Sequence, residues 1–213
     1  MERIYIIESP SDEDLFDEKT EGKALYEALK LSGCDCSYKL ATSKDSFLKA
    51  FSFIIDDFYK KSVKLSSMPF IHISAHGDED GIQLTSGELF DWVDFNDELK
   101  KINEAIGYIP NLNGYSDKIS RIVLCLSTCR GYNAFKIHEE EEDICEFQCI
   151  IGPPEDITWS DSLTAFIVFY HAANYQSVAF NKSVERMNFA IGSENAFKYF
   201  VNPEIGKKKS IVK

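Results

Sequence analysis

A histidine and a cysteine each follow an apolar run at a point where the chain turns. The segment Pro69–Asp78 reads PFIHISAHGD and places His76 directly before Gly77. The segment Arg121–Gly131 reads RIVLCLSTCRG and places Cys129 two residues before a glycine, 53 residues after the histidine. A thiol becomes a useful nucleophile when a nearby base takes its proton, and imidazole is the usual base. The residue types therefore predict nucleophilic cysteine chemistry.

Neighbouring elements must bring these two side chains together. Each one follows an apolar run without polar alternation, which is typical of parallel strands buried on both faces. If the two runs are adjacent parallel strands, their carboxyl ends meet at one edge of one sheet, where open α/β sheets hold their sites. Thr128, Arg130 and Gly131 mark the end of the second strand, and a turn there can present backbone N–H groups to an oxyanion. A nearby Arg130 would also favour the thiolate.

Helix and strand patterns alternate along the chain, with no repeat and no linker that would split it. The predicted strands are 3–7, 35–40, 69–75, 119–127 and 146–151, with a small hairpin at 81–84 and 88–90. The predicted helices are 20–32, 43–61, 95–106, 160–173 (capped by Ser160) and 176–189, and 11–19 and 107–118 are predicted loops. This order predicts an α/β fold with a mainly parallel central sheet, as one domain over residues 1–205 with a flexible basic tail at 206–213.

The composition excludes several classes of function. The chain has 213 residues, 44% of them hydrophobic, so it is long enough to bury a substantial core. Its formal net charge of -12 argues against direct nucleic-acid binding and against an anionic membrane. No apolar run approaches the roughly 20 residues that span a bilayer, and the first residues lack a signal-peptide pattern. We therefore expect a cytoplasmic protein with reduced cysteines.

Two cysteine pairs have a spacing that invites a metal interpretation. Cys125 and Cys129 are four residues apart, and so are Cys145 and Cys149. The first pair lies in or at the end of a predicted strand, where a rise of about 3.3 Å per residue separates the two residues by roughly 13 Å. That distance is too long for one metal ion, so we predict no metal site and no cofactor.

The two reactive segments together resemble one protein family. Ala75-His76-Gly77 and Thr128-Cys129-Arg130-Gly131 resemble the His-Gly and Ala-Cys-Arg-Gly signatures of caspase-type cysteine peptidases. Further segments are similar to bacterial CHAT-type domains, namely 72–77, 81–84, 87–89 and 149–152 with Asp161 and an aromatic-rich helix after it. The resemblance covers residues 3–200. It implies a caspase-hemoglobinase fold, a three-layer sandwich, and an endopeptidase that needs no metal.

The same resemblance implies a role for each matching residue. His76 is the general base or the imidazolium partner, and Cys129 forms the acyl-enzyme with a protein or peptide substrate. The backbone N–H groups of Gly77 and Cys129 form the oxyanion hole. Ser127 and Thr128 precede the cysteine where caspases carry Gln-Ala, so specificity for aspartate does not carry over.

Acidic residues are expected at the edge of the sheet where the reactive pair lies. We predict that a basic P1 residue of the substrate is read by Asp156 or Asp161, and that Trp159 lines the substrate groove. Capping of the following helix is the alternative interpretation of Asp161, and a half-buried packing role is the alternative for Trp159.

The chain carries no recruitment, repeat or sensor segment, so we expect an activating protein or ligand to order the loops at 78–94 and 132–145. The acidic residues 139–143 lie where caspases carry a processed loop, although a solvated loop is the simpler interpretation. Bacterial domains of this kind look like effectors of stress or antiphage defence.

Three other functions remain open. The chain could be a catalytically silent scaffolding module of the same fold, although retention of both reactive residues argues against this. It could be a flavodoxin-like or receiver-like domain, but Asp12 and Asp14 after the first strand are not matched by an aspartate where His76 stands. The cysteine could also serve acyl transfer or hydrolysis on a small molecule.

Overall fold

The structure is a computed structural model that describes residues 2–60, 68–110, 118–136 and 146–202. Its strands are β1 (Ile4–Ser9), β2 (Cys36–Leu40), β3 (Phe70–Gly77), β4 (Gly81–Gln83), β5 (Leu89–Asp91), β6 (Ile109–Pro110), β7 (Lys118–Ile119), β8 (Val123–Ser127), β9 (Cys149–Gly152) and β10 (Lys198–Val201). Its helices are α1 (Asp12–Phe16), α2 (Glu21–Leu31), α3 (Lys44–Lys60), α4 (Trp92–Ile106), α5 (Trp159–Tyr170) and α6 (Phe180–Ala190). A 3₁₀ helix covers Gly131–Lys136, and a π-helical turn covers His171–Tyr175.

The main sheet has the strand order β10-β9-β8-β3-β1-β2. Its pairings are parallel except at the edge strand β10, which runs antiparallel to β9. The hairpin of β4 and β5 attaches to the end of β3, where β1 has already ended. The prediction of an α/β fold with a mainly parallel central sheet is confirmed.

The strands lack polar alternation because helices cover both faces of the sheet. In β1, Ile4 and Ile6 join one buried cluster, which includes residues of α2, α5 and α6. Tyr5 and Ile7 alternate with them and join the other cluster, which includes residues of α3 and α4. The result is a three-layer arrangement of helices, sheet and helices.

Two phenylalanines on helices of the same layer provide a matched test of this core. Phe166 is fully buried and packs against the rings of Phe169, Tyr170 and Phe197, whereas Phe189 is 86% exposed. Phe166→Ala should lower the free energy of unfolding by about 3–5 kcal/mol, because it removes apolar burial and leaves a cavity. Phe189→Ala should change it by less than about 0.5 kcal/mol. Urea denaturation of both variants checks the difference, and equal losses would contradict the assignment of the core.

Buried polar contacts fasten α5 to the two strands that lead to the reactive residues. Ser127 on β8 and Ser162 on α5 share a hydrogen bond of 2.6 Å between their hydroxyl oxygens. His72 Nδ1 on β3 lies 3.1 Å from the Tyr170 hydroxyl on the same helix. A buried polar group that is left unpaired costs free energy. These contacts therefore favour a single position of α5 against β3 and β8.

The structure corrects the prediction of a loop over 11–19, because α1 forms there. Ser11 caps the helix: its hydroxyl accepts a hydrogen bond from the Asp14 N–H and donates one to the Asp14 carboxylate. The first turn is acidic, which suits the positive end of a helix dipole. A run of only five helical residues is too short to show the periodicity that identifies longer helices.

Other boundaries also differ from prediction. Helix α5 begins at Trp159 and is capped by Thr158, so the prediction of Ser160 as the cap was wrong. Helix α6 begins at Phe180, four residues later than predicted. Strand β10 was not predicted, and β6 and β7 lie at the ends of the predicted 107–118 loop. The acidic residues 139–143 and the basic tail 206–213 lie outside the described residues. In the part of the chain that is described, no helix has the length and apolar character to cross a bilayer.

Candidate active site

His76 and Cys129 lie at the carboxyl ends of neighbouring parallel strands, at one edge of the sheet. Strands β3 and β8 pair in register as far as Ser74 and Ser127, and each reactive residue comes two positions later. His76 still belongs to β3, whereas Cys129 lies in the turn that follows β8. The expectation that both residues reach the same sheet edge is therefore met by the geometry.

Gly77 joins the two motifs by close packing. A Cβ atom added to Gly77 would stand 2.2 Å from Thr128 Oγ1, 2.8 Å from the Gly81 carbonyl oxygen and 3.3 Å from the Cys129 carbonyl oxygen. Such approaches leave no room for a side chain. The glycine after the histidine is therefore what allows the end of β3 to lie against the cysteine turn.

Gly77→Ala should displace the turn that carries Cys129. We expect a loss of roughly a hundredfold in reactions of this thiol that depend on the site, the effect of a displacement of about 1 Å at a reacting centre. Site-resolved mass spectrometry of Cys129 alkylation measures it. Gly192→Ala is the control, because its added methyl group meets nothing within 4 Å and only its left-handed backbone is strained. Equal reactivity in the two variants would contradict the close packing at Gly77.

A third residue, Asp14 of α1, completes the surroundings of the histidine. Its Oδ2 lies 2.5 Å from His76 Nε2, and its side chain is 12% exposed against 40% for the imidazole. Sequence reasoning assigned Asp14 no role at this site. The available signal was its position after the first strand, since the carboxyl ends of β1 and β3 reach the same edge.

The Asp14 carboxylate is held in its charged form. Burial alone would raise the pKa of Asp14, but hydrogen bonds from His76 and Ser11 hold it below its usual range. An ionised carboxylate accepts a proton from Nε2–H and cannot donate one. In a neutral His76 this assigns the proton to Nε2 and leaves Nδ1 as the acceptor, and in a charged His76 it stabilises the imidazolium.

The Cys129 thiol is half-buried and is hydrogen-bonded to the chain backbone. Its Sγ lies 3.7 Å from the Ile157 carbonyl oxygen. Among the described residues, this is the hydrogen bond that the thiol makes, and none joins Sγ to His76. In this arrangement the thiol donates to a backbone carbonyl and not to the imidazole.

The turn after β8 leaves the N–H of Cys129 available. Arg130 has a positive φ of 56°, and its N–H bonds to the Glu155 carbonyl, while the Gly131 N–H bonds back to Thr128. Within the described part of the chain, the Cys129 N–H has no acceptor. An unpaired N–H beside a thiol is the group that an oxyanion hole requires.

The N–H of Gly77 faces the same side. Successive residues of a strand direct their N–H groups to opposite edges. The Phe70 N–H bonds to the carbonyl of Arg3, directly before β1, and the Asp78 N–H bonds to the Gly81 carbonyl on the same edge. The odd-numbered Gly77 therefore directs its N–H to the opposite edge, toward the turn of Cys129. The two N–H groups assigned to the oxyanion hole remain a prediction that this orientation favours.

The residues predicted to read the substrate lie in and after the segment that leads from β9 to α5. Asp156 is 75% exposed and pairs with Arg130, with 3.3 Å between Oδ1 and Nε. Asp161 accepts a hydrogen bond from the Thr158 hydroxyl at 2.9 Å in the cap of α5. Trp159 lies against His76, with ring centroids 5.1 Å apart. The capping interpretation of Asp161 thus describes a contact that exists, and its role in substrate binding stays a prediction.

The other described cysteines lie either away from this edge or buried within the sheet. Cys125 and Cys149 are buried in the sheet, and burial raises the pKa of Cys149 to about 12 and that of Cys125 still further. Cys34 and Cys36 are half-buried near the start of β2. Cys145 lies outside the described residues. Among those described, no group of three or more His, Cys, Asp or Glu side chains is arranged to hold a metal ion.

Comparisons with known proteins find similarity among solved structures. No protein-family model and no curated protein matches the chain. Among solved structures, the chain is similar to gingipain R, an arginine-specific cysteine proteinase, with a TM-score of 0.53 and 10% sequence identity. The similarity covers 94% of this chain and 46% of the gingipain chain, so this chain spans about half the length of that protein.

At this level of identity the comparison establishes the fold. The mixed α/β architecture, with a mostly parallel sheet between helices, is consistent with the caspase-hemoglobinase fold of that proteinase. The comparison supports a caspase-like fold and does not extend to the CHAT type.

Proposed function

We propose that this protein is a cysteine endopeptidase in which His76 and Cys129 form the catalytic pair. The observation that carries the proposal is the close packing of Gly77 against the turn at Thr128 and Cys129. Beside this turn, His76 Nε2 is hydrogen-bonded to the Asp14 carboxylate. A nucleophile, a base and an orienting carboxylate at one strand edge are the groups that covalent acyl transfer requires.

The proposed reaction uses each group at a stated atom. His76 Nδ1 takes the proton of the Cys129 thiol, and the sulfur attacks the scissile carbonyl carbon. The N–H groups of Gly77 and Cys129 bind the oxyanion, and the imidazolium then protonates the leaving amine. Water, deprotonated by His76, hydrolyses the thioester and returns the thiol. Asp14 keeps the ring in the tautomer that these transfers need.

We propose a substrate with arginine or lysine at P1. Acidic side chains at the site edge support it, since the partner of Asp156 among the described residues is Arg130, through an exposed contact. Exposed ion pairs contribute little to stability, so a substrate guanidinium can compete for this carboxylate. Asp161 is the second candidate acid. We propose that Trp159 borders the groove where the P1 residue enters.

Cleavage profiling tests the activity and the specificity together. A peptide library and a cell lysate are treated with the wild type, Asp156→Asn and Asp161→Asn, and new N-termini are sequenced. The expected result is cleavage after basic residues that falls about tenfold or more in one of the two variants, since a lost charge partner leaves the substrate charge unpaired. Cleavage after other residues, unchanged in both variants, would contradict the proposed specificity.

We further propose that the protein is a CHAT-type effector of bacterial stress or antiphage defence that a protein or ligand activates. Sequence likeness to such domains supports it. So does the hydrogen bond of the Cys129 thiol, which goes to the Ile157 carbonyl and not to the His76 imidazole. Co-expression with candidate activators, followed by a search for a cleaved cellular protein, tests it. Harmless expression without any cleavage product in every combination would count against the role.

The same thiol contact favours a second candidate, a catalytically silent module that binds partners at this edge. A cysteine-directed electrophilic probe separates the two candidates. Selective labelling of Cys129 over the half-buried Cys34 indicates an activated thiol and supports the enzyme, whereas equal labelling supports the binding module.

A further inference from the structure

Trp159 contacts both partners of the histidine–aspartate pair. Its ring meets the His76 ring at an interplanar angle of 71°, with centroids 5.1 Å apart. Its side chain also makes a small contribution to lowering the pKa of the Asp14 carboxyl, less than those of His76 and Ser11.

The backbone around Trp159 is fixed on both sides. Thr158 caps α5 by accepting a hydrogen bond from the Asp161 N–H at 3.1 Å, and its hydroxyl donates to the Asp161 carboxylate. One residue earlier, the Ile157 carbonyl receives the Cys129 thiol. Further along, Ser162 ties the helix to β8. The start of α5 and the residue before its cap therefore contact both the histidine and the cysteine.

We propose that Trp159 is a positioning residue that acts on the reaction through Asp14 and His76. It orients the Asp14 carboxylate toward His76 Nε2 and shields that hydrogen bond from water with its ring. A hydrogen bond in a drier environment is stronger, so the ring increases the influence of the acid on the imidazole. This inference rests on the proposed function and assigns the residue a role other than lining a groove.

The test measures the thiol and needs no substrate. The rate of Cys129 alkylation by iodoacetamide is followed by site-resolved mass spectrometry, over a pH series that spans histidine and cysteine titration. The proteins are the wild type, Trp159→Phe, Asp14→Asn and the double variant, all of the full chain. Trp159→Phe keeps an aromatic ring and removes the indole donor. Trp92→Phe is the matched control, since the Trp92 indole donates to the Glu79 carbonyl.

The expected result is a coupled effect. Asp14→Asn and Trp159→Phe should each move the alkylation profile to higher pH and slow the reaction at neutral pH. The slowing should be roughly tenfold, within the range for side chains of one hydrogen-bond network, and the double variant should react like Asp14→Asn alone. Trp92→Phe should leave the profile in place.

Other results separate this inference from the proposed function. If Asp14→Asn moves the profile but Trp159→Phe does not, or if their effects multiply, the positioning role is wrong and the catalytic pair stands. If neither variant moves the profile while His76→Ala does, Asp14 and Trp159 both lose their roles. If His76→Ala also leaves the profile unchanged, the proposed pair itself fails, and the inference with it. Thermal unfolding of each variant identifies any that reacts differently because it is unfolded.

Discussion

Replacing Cys129 by alanine is expected to lower kcat/KM for peptide cleavage by at least about a thousandfold, because no acyl-enzyme can form without the sulfur. His76→Ala should have a loss of the same order, since the thiol then lacks its base. The measurement is cleavage of the best peptide from the profiling experiment. Cys34→Ala is the matched control, because this half-buried thiol lies near the start of β2, away from the site edge.

The double variant makes this prediction sharper. When two residues act as one unit, removing either one abolishes most of the activity that they provide together. The double variant His76→Ala with Cys129→Ala should therefore be no less active than the worse single variant. Retention of wild-type activity in Cys129→Ala would remove the cysteine from the mechanism. Losses that multiply in the double variant would show that the two side chains act independently.

Asp14→Asn is expected to have the second largest effect. The asparagine keeps the size of the side chain, but its NH₂ group can face Nε2 and stabilise the wrong tautomer of His76. We expect kcat to fall by roughly a hundredfold or more, since an amide in place of an orienting carboxylate is known to cost up to about ten-thousandfold in a comparable triad. Steady-state kinetics with one basic-P1 peptide measures it. Asp12→Asn, on the same short helix, is the control.

The same substitution should change how stability depends on pH. The folded-state pKa of Asp14 lies below its unfolded value, so the charged group stabilises the folded protein above the unfolded pKa. That contribution is lost as the pH falls through the folded pKa. Asp14→Asn should therefore be less stable than the wild type near neutral pH and should approach it in acid. A constant difference at every pH, measured by urea denaturation, would contradict the linkage.

Sequence reasoning could place His76 and Cys129 at one edge of the sheet because two strong local signals coincide. An apolar run indicates a strand, and a glycine soon after the run marks its end. A side chain that stands between the run and the glycine is therefore predicted to lie at a sheet edge. His76 and Cys129 both carry these signals. The parallel pairing of β3 and β8 then brings both residues to neighbouring strand ends.

Asp14 and Trp159 were beyond the same reasoning for different physical reasons. Helix α1 is too short to show a helical period, so the position of Asp14 after the first strand was the one signal for it, and that signal does not show which way its side chain points. Trp159 was predicted to line the substrate groove, with a half-buried packing role as the alternative. The helix that carries it begins at Trp159, one residue earlier than predicted, and the ring lies against His76. That contact joins residues far apart in the sequence, so no local pattern indicated it.

Strand β10 was missed because its pattern is weak. Lys198 to Val201 pairs antiparallel with β9 at the edge of the sheet, and most of its residues are exposed. Exposed edge strands keep charged side chains and need no apolar face, so periodicity carries little information there. The pairing forms because the chain turns back toward β9 after α6, and a local sequence pattern does not predict such a tertiary contact.

The burial of Cys125, four residues before the half-buried Cys129, gives the molecule a built-in reference. Trypsin cleaves after Arg121 and Arg130, so both thiols fall on one nine-residue peptide, Ile122–Arg130. Label on Cys129 reports the chemistry of the site, whereas label on Cys125, which is fully enclosed, reports loss of the fold. The labelled fractions of the two cysteines are measured on the same peptide, so both depend on the same digestion yield and the same ionisation efficiency. A single fragment spectrum therefore reads the fraction of molecules that react and the fraction that have unfolded, in any variant and in whole-cell extracts.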